Sequence, residues 1–320
     1  VVHALLPGEP PQHDIGRLEQ SYFRPLAELY YLMEVEHDFP KSLPEGQLEF
    51  EPYTAAAYDR LCRLVQTTYE ATLDCPGSGP FHMRGGSRLW AAPEDPRFTY
   101  RPDDDPVGVE EIGDGIRLTT RPDPVSETSR EIAIRVTGPQ RFTFDYRVIN
   151  CGEAPRRLAA WAITMMKPLG RAFLTVLTEP FDPGGFQGQR NIVLWSYSRN
   201  DDPRFILHDH ALEVRSAVMS DGPFDAPFKV GTAMRRGWVA HYREGLLLVK
   251  YAGHDEAREY ADMGASGQVY SHGDFTELET LGPLTDLDPG DAAEHHEDWV
   301  IHLVDEAEAE RLVASDELDR

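Results

Sequence analysis

Lysine is scarce in this chain: Lys41, Lys167, Lys229 and Lys250 are all there are among 31 basic residues in 320. Acid outweighs base by 55 to 31, giving a formal charge of -24. Such a surface repels phosphate backbones and anionic headgroups, so neither nucleic acid nor a membrane surface is an expected partner. A neutral or cationic small molecule fits better. Cysteine is nearly absent, and Cys62, Cys75 and Cys151 form an odd set with no close pair. Neither a disulfide framework nor a CxxC metal site is signalled, and a reducing, cytoplasmic location is expected. No apolar run approaches the length of a membrane-spanning helix, and the N-terminus lacks the basic-then-apolar pattern of a secretory signal. Internal repeats and low-complexity blocks are also missing.

What is present is a chain with 41% hydrophobic residues, enough for one large core. Residues 1–52 are irregular and proline-rich, with one helix expected from Arg24 to Val35. A second helix is expected from Thr54 to Leu73, where Tyr58, Leu61, Cys62, Val65 and Tyr69 recur at helical spacing behind Thr54 as N-cap. From residue 116 onward the texture changes to short apolar runs bounded by Gly, Pro, Asn or Asp. Arg130 to Val136 and Arg141 to Ile149 read as a hairpin through Gly138-Pro139, and strands are expected at Leu158–Met166, Ala172–Leu177, Asn191–Tyr197 and Ala211–Met219. Others are expected at Trp238–Arg243, Leu246–Tyr251, Gly267–Tyr270, Phe275–Thr280 and Trp299–Val304. So many strands without intervening helical periods predict an all-β, mainly antiparallel sandwich. The expected organisation is an irregular and helical segment over 1–79, the sandwich over 80–305, and an acidic tail over 306–320 that closes as a helix.

The most telling stretch is Tyr270 to Asp291, a strand carrying Glu277 and Glu279 and ending in a Pro289-Gly290 turn. Strand side chains alternate, so Phe275, Glu277 and Glu279 share one face and Thr276 and Leu278 the other. Two carboxylates look out together. The run resembles the C-terminal end of aldose 1-epimerases, in which a Phe-x-x-Glu-Thr strand supplies the catalytic carboxylate. A second segment, Pro80 to Glu94, contains Arg84-Gly85-Gly86 and Ser87-Arg88-Leu89-Trp90. It resembles the substrate-arginine segment of hexose-phosphate epimerases, and more closely an uncharacterised family within the galactose-mutarotase-like group. Tyr100 to Asp103, Ala159 to Thr164, Arg190 to Tyr197 and Asp202 to Arg204 match further segments of that family in order, although Ser87 stands where it usually has His. The resemblance implies a galactose-mutarotase-like β-super-sandwich acting on a small sugar or sugar derivative without a cofactor.

Mutarotation needs a base for the anomeric hydroxyl and an acid for the ring oxygen. The resemblance implies Glu279 as the base, with Glu277 as the alternative. The plainer reading is that both are surface carboxylates, set against the poor strand propensity of paired glutamates. His210, which shares a face with His208 in an extended segment, is the candidate acid; His82, His241, His254 and His272 are scattered competitors. His208, His210 and Glu213, with His295 or His296, also resemble a loose cupin metal set, but Glu213 follows too closely and no metal is expected. Arg84, Arg88, Arg190, Lys229 and Lys250 are candidates for sugar hydroxyls or an acidic substituent, and Trp90, Trp195 and Trp238 for stacking on a pyranose. Trp161, between two alanines, reads as core, and core packing is also the better reading of Trp195. Three functions remain in view: a mutarotase-like isomerase, a non-catalytic carbohydrate-binding sandwich, and a cupin-like metal enzyme.

Overall fold

In a computed structural model, the described residues are 86–99, 105–180, 182–216, 226–272 and 275–319, with the backbone of three short N-terminal strands. Those three, Val2–Leu5, Phe23–Leu26 and Tyr30–Met33, form an antiparallel sheet with the last in the middle. The helix expected over Arg24 to Val35 is therefore replaced by two strands. Pro25 suits an edge strand, and the adjacent tyrosines favour extended backbone over a helix. The helix expected over Thr54 to Leu73 lies outside the described residues. The chain divides into two units, Val1–Arg84 and Gly85–Arg320.

The second unit is built from two antiparallel sheets. One has ten strands in the order Phe205–Leu207, Ala211–Arg215, Arg171–Thr175, Trp238–Arg243, Leu246–Tyr251, Ala292–Leu303, Arg141–Asn150, Thr128–Gly138, Gly115–Thr119 and Gly108–Glu111. The other runs Val193–Leu194, Phe228–Thr232, Gly267–His272, Phe275–Leu281, Arg156–Met166 and Thr285–Leu287, with Gly86–Ala92 also pairing along Arg156–Met166. This is the all-β sandwich that the strand texture predicts. Among the described residues no helix is long and apolar enough to cross a membrane.

Strand alternation explains which side chains fill the space between the sheets. Leu278, Val269, Phe228 and Val230 from the seven-stranded sheet meet Leu174, Leu212, Val214 and Val239 from the ten-stranded one. Leu89, Ala160 and Ala162 meet Phe144, Tyr146 and Val148 in a second cluster. The outer face of the ten-stranded sheet is covered by a helix, Glu306–Ala314, whose Ala309, Leu312 and Val313 pack on Trp238, Ala240, Leu247 and Val249. Asp305 caps that helix by accepting from the Glu308 N–H, and the Trp238 indole donates to Asp319 at 2.9 Å. Trp238 is thereby committed to holding the tail.

The inter-sheet space also holds charge. Lys250 Nζ, wholly buried, donates to Glu297 at 2.8 Å, to Thr164 Oγ1 at 3.0 Å and to the Leu278 carbonyl at 3.2 Å. Glu297 also accepts from Tyr146 at 2.9 Å, from the Trp299 indole at 2.7 Å and from Thr280, while His295 Nε2 lies 2.7 Å from the Thr280 hydroxyl. Burial pushes Lys250 below its ordinary value against the pull of Glu297. Burial works to raise Glu297, and Lys250 and His295 overcome it, holding the carboxyl below its usual range. Each charge has its partners, the condition under which a buried pair is tolerable.

Two buried histidines set an acid limit. Burial, helped by Arg243, pushes His241 down to about 4, and burial brings His295 to about 4 as well. Above the ordinary value of 6.5 both folded and unfolded chains hold neutral rings. As pH falls through 6.5 the unfolded chain takes up protons that the fold refuses, so stability is lost progressively down to about 4. Urea unfolding at pH 7 and pH 4.5 is expected to differ by ~2 kcal/mol for each histidine, and His241→Phe is expected to remove its share of that slope. An unchanged slope in that variant would assign acid lability to other groups.

Candidate functional site

The candidate site lies on the face of the seven-stranded sheet that points away from the inter-sheet core. Leu278 packs inward, so Glu277 and Glu279 must point outward. Cross-strand register decides their neighbours. Glu279 stands opposite Ile163 on one side and Gln268 on the other, and Ile163 in turn stands opposite Arg88. Glu277 stands opposite Met165 and Tyr270, and Tyr270 opposite Lys229. Trp90, opposite Trp161, completes the row. Arg88 and Glu277, 189 positions apart, are thus brought onto one surface.

The two carboxylates have different partners. Glu279 is fully buried; its Oε2 accepts from Lys229 Nζ at 2.8 Å and from the Trp161 indole N–H at 2.7 Å. Its Oε1 is buried with no hydrogen-bond partner among the described residues. Glu277 accepts from the Arg88 guanidinium, and the two side chains keep 8% and 15% exposure, which makes theirs the more open edge of the site. Burial pushes Glu277 up, Arg88 pulls it down, and repulsion from Glu279 raises it again, leaving it at about 7. The Tyr270 phenol is raised by burial and then by both carboxylates.

Aromatic rings surround the cations. Lys229 Nζ lies 4.7 Å from the ring centroids of both Trp161 and Trp195, and the Arg88 guanidinium lies 4.6 Å from that of Trp90. Trp90 and Trp161 meet edge to face at 5.4 Å. Trp161 is therefore not the inward core residue that its alanine neighbours suggest; those alanines face the core and put the indole outside. His272 occupies the same face two residues beyond Tyr270, with Nδ1 buried and no hydrogen-bond partner among the described residues. Among the described histidines, it is the one that register brings onto this face.

Other sequence candidates go elsewhere. Lys250 is sealed between the sheets and bonded to Glu297, Thr164 and Leu278, so it cannot reach a substrate on the outer face. Its strand alternates with Leu247 and Val249 facing out, which turns Lys250 inward. His210 sits at the turn into Ala211–Arg215 of the ten-stranded sheet, stacked on His208 at 5.5 Å. Burial, then His208, pushes it below its ordinary value. Arg190 is exposed, and its Nε donates to the Leu177 carbonyl at 2.9 Å. Arg84 and His82 lie outside the described residues. The Glu213 carboxylate is taken by Arg171, Arg215 and His208, each at 2.7 Å, an ion-pair cluster that ties the helix to the sheet through Glu306 and Glu310 on Arg171. Among the described residues no group of three or more His, Cys, Asp or Glu is placed to hold a metal. His295 is core and His296 is exposed on Asp145, which separates the two on opposite faces of their strand.

A cavity of about 220 Å³ opens at the end of Gly86–Ala92, lined in part by Pro93, Phe98, Ser126, Thr128, Arg130 and Arg156. Ser126 and Thr128 bond each other at 3.0 Å, and Arg156 donates to the Ser126 carbonyl. Glu277 and Glu279 are not among the residues that line it.

No protein-family model matches the chain, and neither does any curated protein. It is similar in structure to galactose-mutarotase-like proteins. An aldose 1-epimerase candidate from Escherichia coli K12 shares 11% identity over 70% of this chain and 76% of its own, with a TM-score of 0.42. A galactose mutarotase-like protein from Lactobacillus casei shares 10% over 64% of this chain and 74% of its own, at 0.34. A TPR-domain containing protein from Parabacteroides distasonis shares 11% over 67% of this chain and 37% of its own, at 0.41. At these scores the likeness is one of strand arrangement, and it assigns no chemistry to any side chain.

Proposed function

We propose that the outer face of the seven-stranded sheet takes an aldose and that Glu279 and Glu277 exchange protons at its anomeric centre. The observation that carries this reading is the bare Oε1 of Glu279, a buried acceptor with no partner among the described residues, beside a carboxyl raised to about 7. A buried acceptor left unsatisfied costs free energy that a ligand hydroxyl would recover. A carboxyl held near 7 can carry the proton that a general acid must donate, and a neighbouring carboxylate oxygen without a partner can receive one.

In this mechanism Glu279 Oε1 takes the proton of the anomeric hydroxyl while Glu277 gives its proton to the ring oxygen. The bond from C1 to the ring oxygen breaks, and the open-chain aldehyde forms. Rotation about the bond from C1 to C2 and reversal of both proton transfers close the ring as the other anomer. Atoms and charge balance, and no cofactor takes part. The sugar enters past Arg88 and Glu277, the edge with the larger exposure, and its hydroxyls replace part of that ion pair.

One observation favours a second reading, a carbohydrate-binding sandwich without turnover: both carboxylates are already neutralised, Glu277 by Arg88 and Glu279 by Lys229. Anomer exchange followed by NMR across a panel of aldoses separates the two. Acceleration above the uncatalysed rate is expected for at least one sugar. Binding with exchange left at the uncatalysed rate throughout the panel would establish the binding module instead.

A further inference from the structure

Lys229 is an unusual residue for its position. It is one of four lysines in the chain, sits between Phe228 and Val230 in a strand otherwise wholly buried, and is itself 4% exposed. A lysine there must find compensation for lost hydration. It finds three elements of it: the Glu279 carboxylate at 2.8 Å and the indole rings of Trp161 and Trp195, each 4.7 Å from Nζ. Desolvated ammonium groups bind aromatic faces strongly, and two rings hold the chain end from two directions. Trp161 does double duty, because its Nε1–H also donates to the oxygen that Lys229 contacts. Both donors thus converge on Oε2, while Oε1 is left bare.

We propose that Lys229, clamped between Trp161 and Trp195, is a positioning residue that anchors Glu279 through Oε2 and so presents Oε1 alone to the substrate. The inference rests on the mutarotase-like reading for its catalytic consequence, though not for its structural one. An unclamped carboxylate would rotate and offer either oxygen to Lys229. Clamped, it offers one oxygen in one direction, the preorganisation that proton transfer requires. The ammonium also lies close enough to bias where the proton of the carboxyl pair resides: Lys229 is among the groups that lower Glu277. Among the described residues, the other titratable or charged groups facing the pair are Arg88 from Gly86–Ala92 and Tyr270 and His272 from Gly267–His272, with Lys250 acting on Glu277's neighbour Glu279 from within the core.

The test uses Lys229→Met, which keeps the linear apolar stem between the two indoles, and Lys229→Arg, which keeps the charge. In protein carrying carboxyl-13C glutamate, the Glu279 resonance, assigned by its loss in Glu279→Gln, is followed against pH. Lys229→Met is expected to shift its titration upward by at least one pH unit, a tenfold change in proton affinity, while Lys229→Arg stays close to wild type. In anomer exchange, Lys229→Met is expected to lower kcat at least tenfold with KM within threefold and to move the pH profile in step with the NMR titration. Rescue of both by Lys229→Arg supports positioning by charge. If Lys229→Met folds and titrates as wild type does, the proposal is overturned. If wild-type protein accelerates no exchange, the mutarotase reading fails by itself, and the carboxyl titration still decides whether Lys229 anchors Glu279. Should Lys229→Met fail to fold, an upward titration shift in Trp195→Leu, which opens one side of the clamp, supports the proposal and an unshifted one overturns it.

Discussion

Glu279→Gln is expected to slow anomer exchange by ~10²–10⁴-fold, the usual contribution of a positioned general base. Glutamine keeps the shape, and its carbonyl oxygen still accepts from Lys229 and Trp161, so the fold is expected to survive, at a cost in stability for the uncompensated Lys229 charge, while Oε1 becomes an amide nitrogen that takes no proton. Glu277→Gln removes the acid and leaves an oxygen for Arg88. Its cost is expected at ~10²-fold, with a changed pH profile as the sharper sign. In wild type the rate is expected to fall as pH rises through about 7, because that is where Glu277 gives up the proton it must donate. In Glu277→Gln that limb disappears. Exchange kinetics of both variants between pH 5 and pH 9 check the assignment. A large loss in Glu277→Gln with little in Glu279→Gln would move the base to Glu277, and near-wild-type rates in both would remove the carboxyls from the chemistry.

Lys250→Met is expected to cost ~3–5 kcal/mol of stability, the penalty for stranding one partner of a buried ion pair. Methionine fills most of the lysine's volume, so packing loss is small and the penalty falls on Glu297. That carboxylate keeps Tyr146, Trp299 and Thr280 as donors and loses the ammonium bonded to it. The loss is expected to shrink as pH falls, since without Lys250 the Glu297 carboxyl protonates more readily and the buried charge disappears. Adding Glu297→Gln to Lys250→Met is expected to restore much of the stability, a non-additivity that a double-mutant cycle in urea measures directly. A single-variant loss below ~1 kcal/mol would mean that water reaches the pair and that the sheets pack less tightly there. The same result separates Lys250 from the site: its variant is expected to change unfolding far more than sugar binding.

Much of this protein is legible in its sequence because strand alternation is a local property. Trp238–Arg243 and Leu246–Tyr251 occur at the bounds that their apolar runs and turn residues predict, and Phe275–Leu281 places Glu277 and Glu279 together on one face as alternation requires. The all-β class follows from the same pattern. Alternation says which residues share a face, but not which face is the core. Lys250 and Lys229 look alike in sequence, each a lone lysine in an apolar strand, yet one points between the sheets and the other outward. Trp161 reads as core for the same reason, and only the inward packing of Ala160 and Ala162 turns it toward Glu279.

What the sequence by itself determined was therefore the class of fold, most strand positions and the pairing of two carboxylates, all set by backbone geometry within a few residues. The tertiary structure decided the rest: that Arg88 meets Glu277 while Arg190 bonds the Leu177 carbonyl, that His210 belongs to the other sheet while His272 joins the carboxylate face, and that Lys229 bonds Glu279. Those outcomes depend on strand order and register between segments up to 189 residues apart, and such long-range pairing is fixed by the packing of whole sheets, which no local pattern encodes.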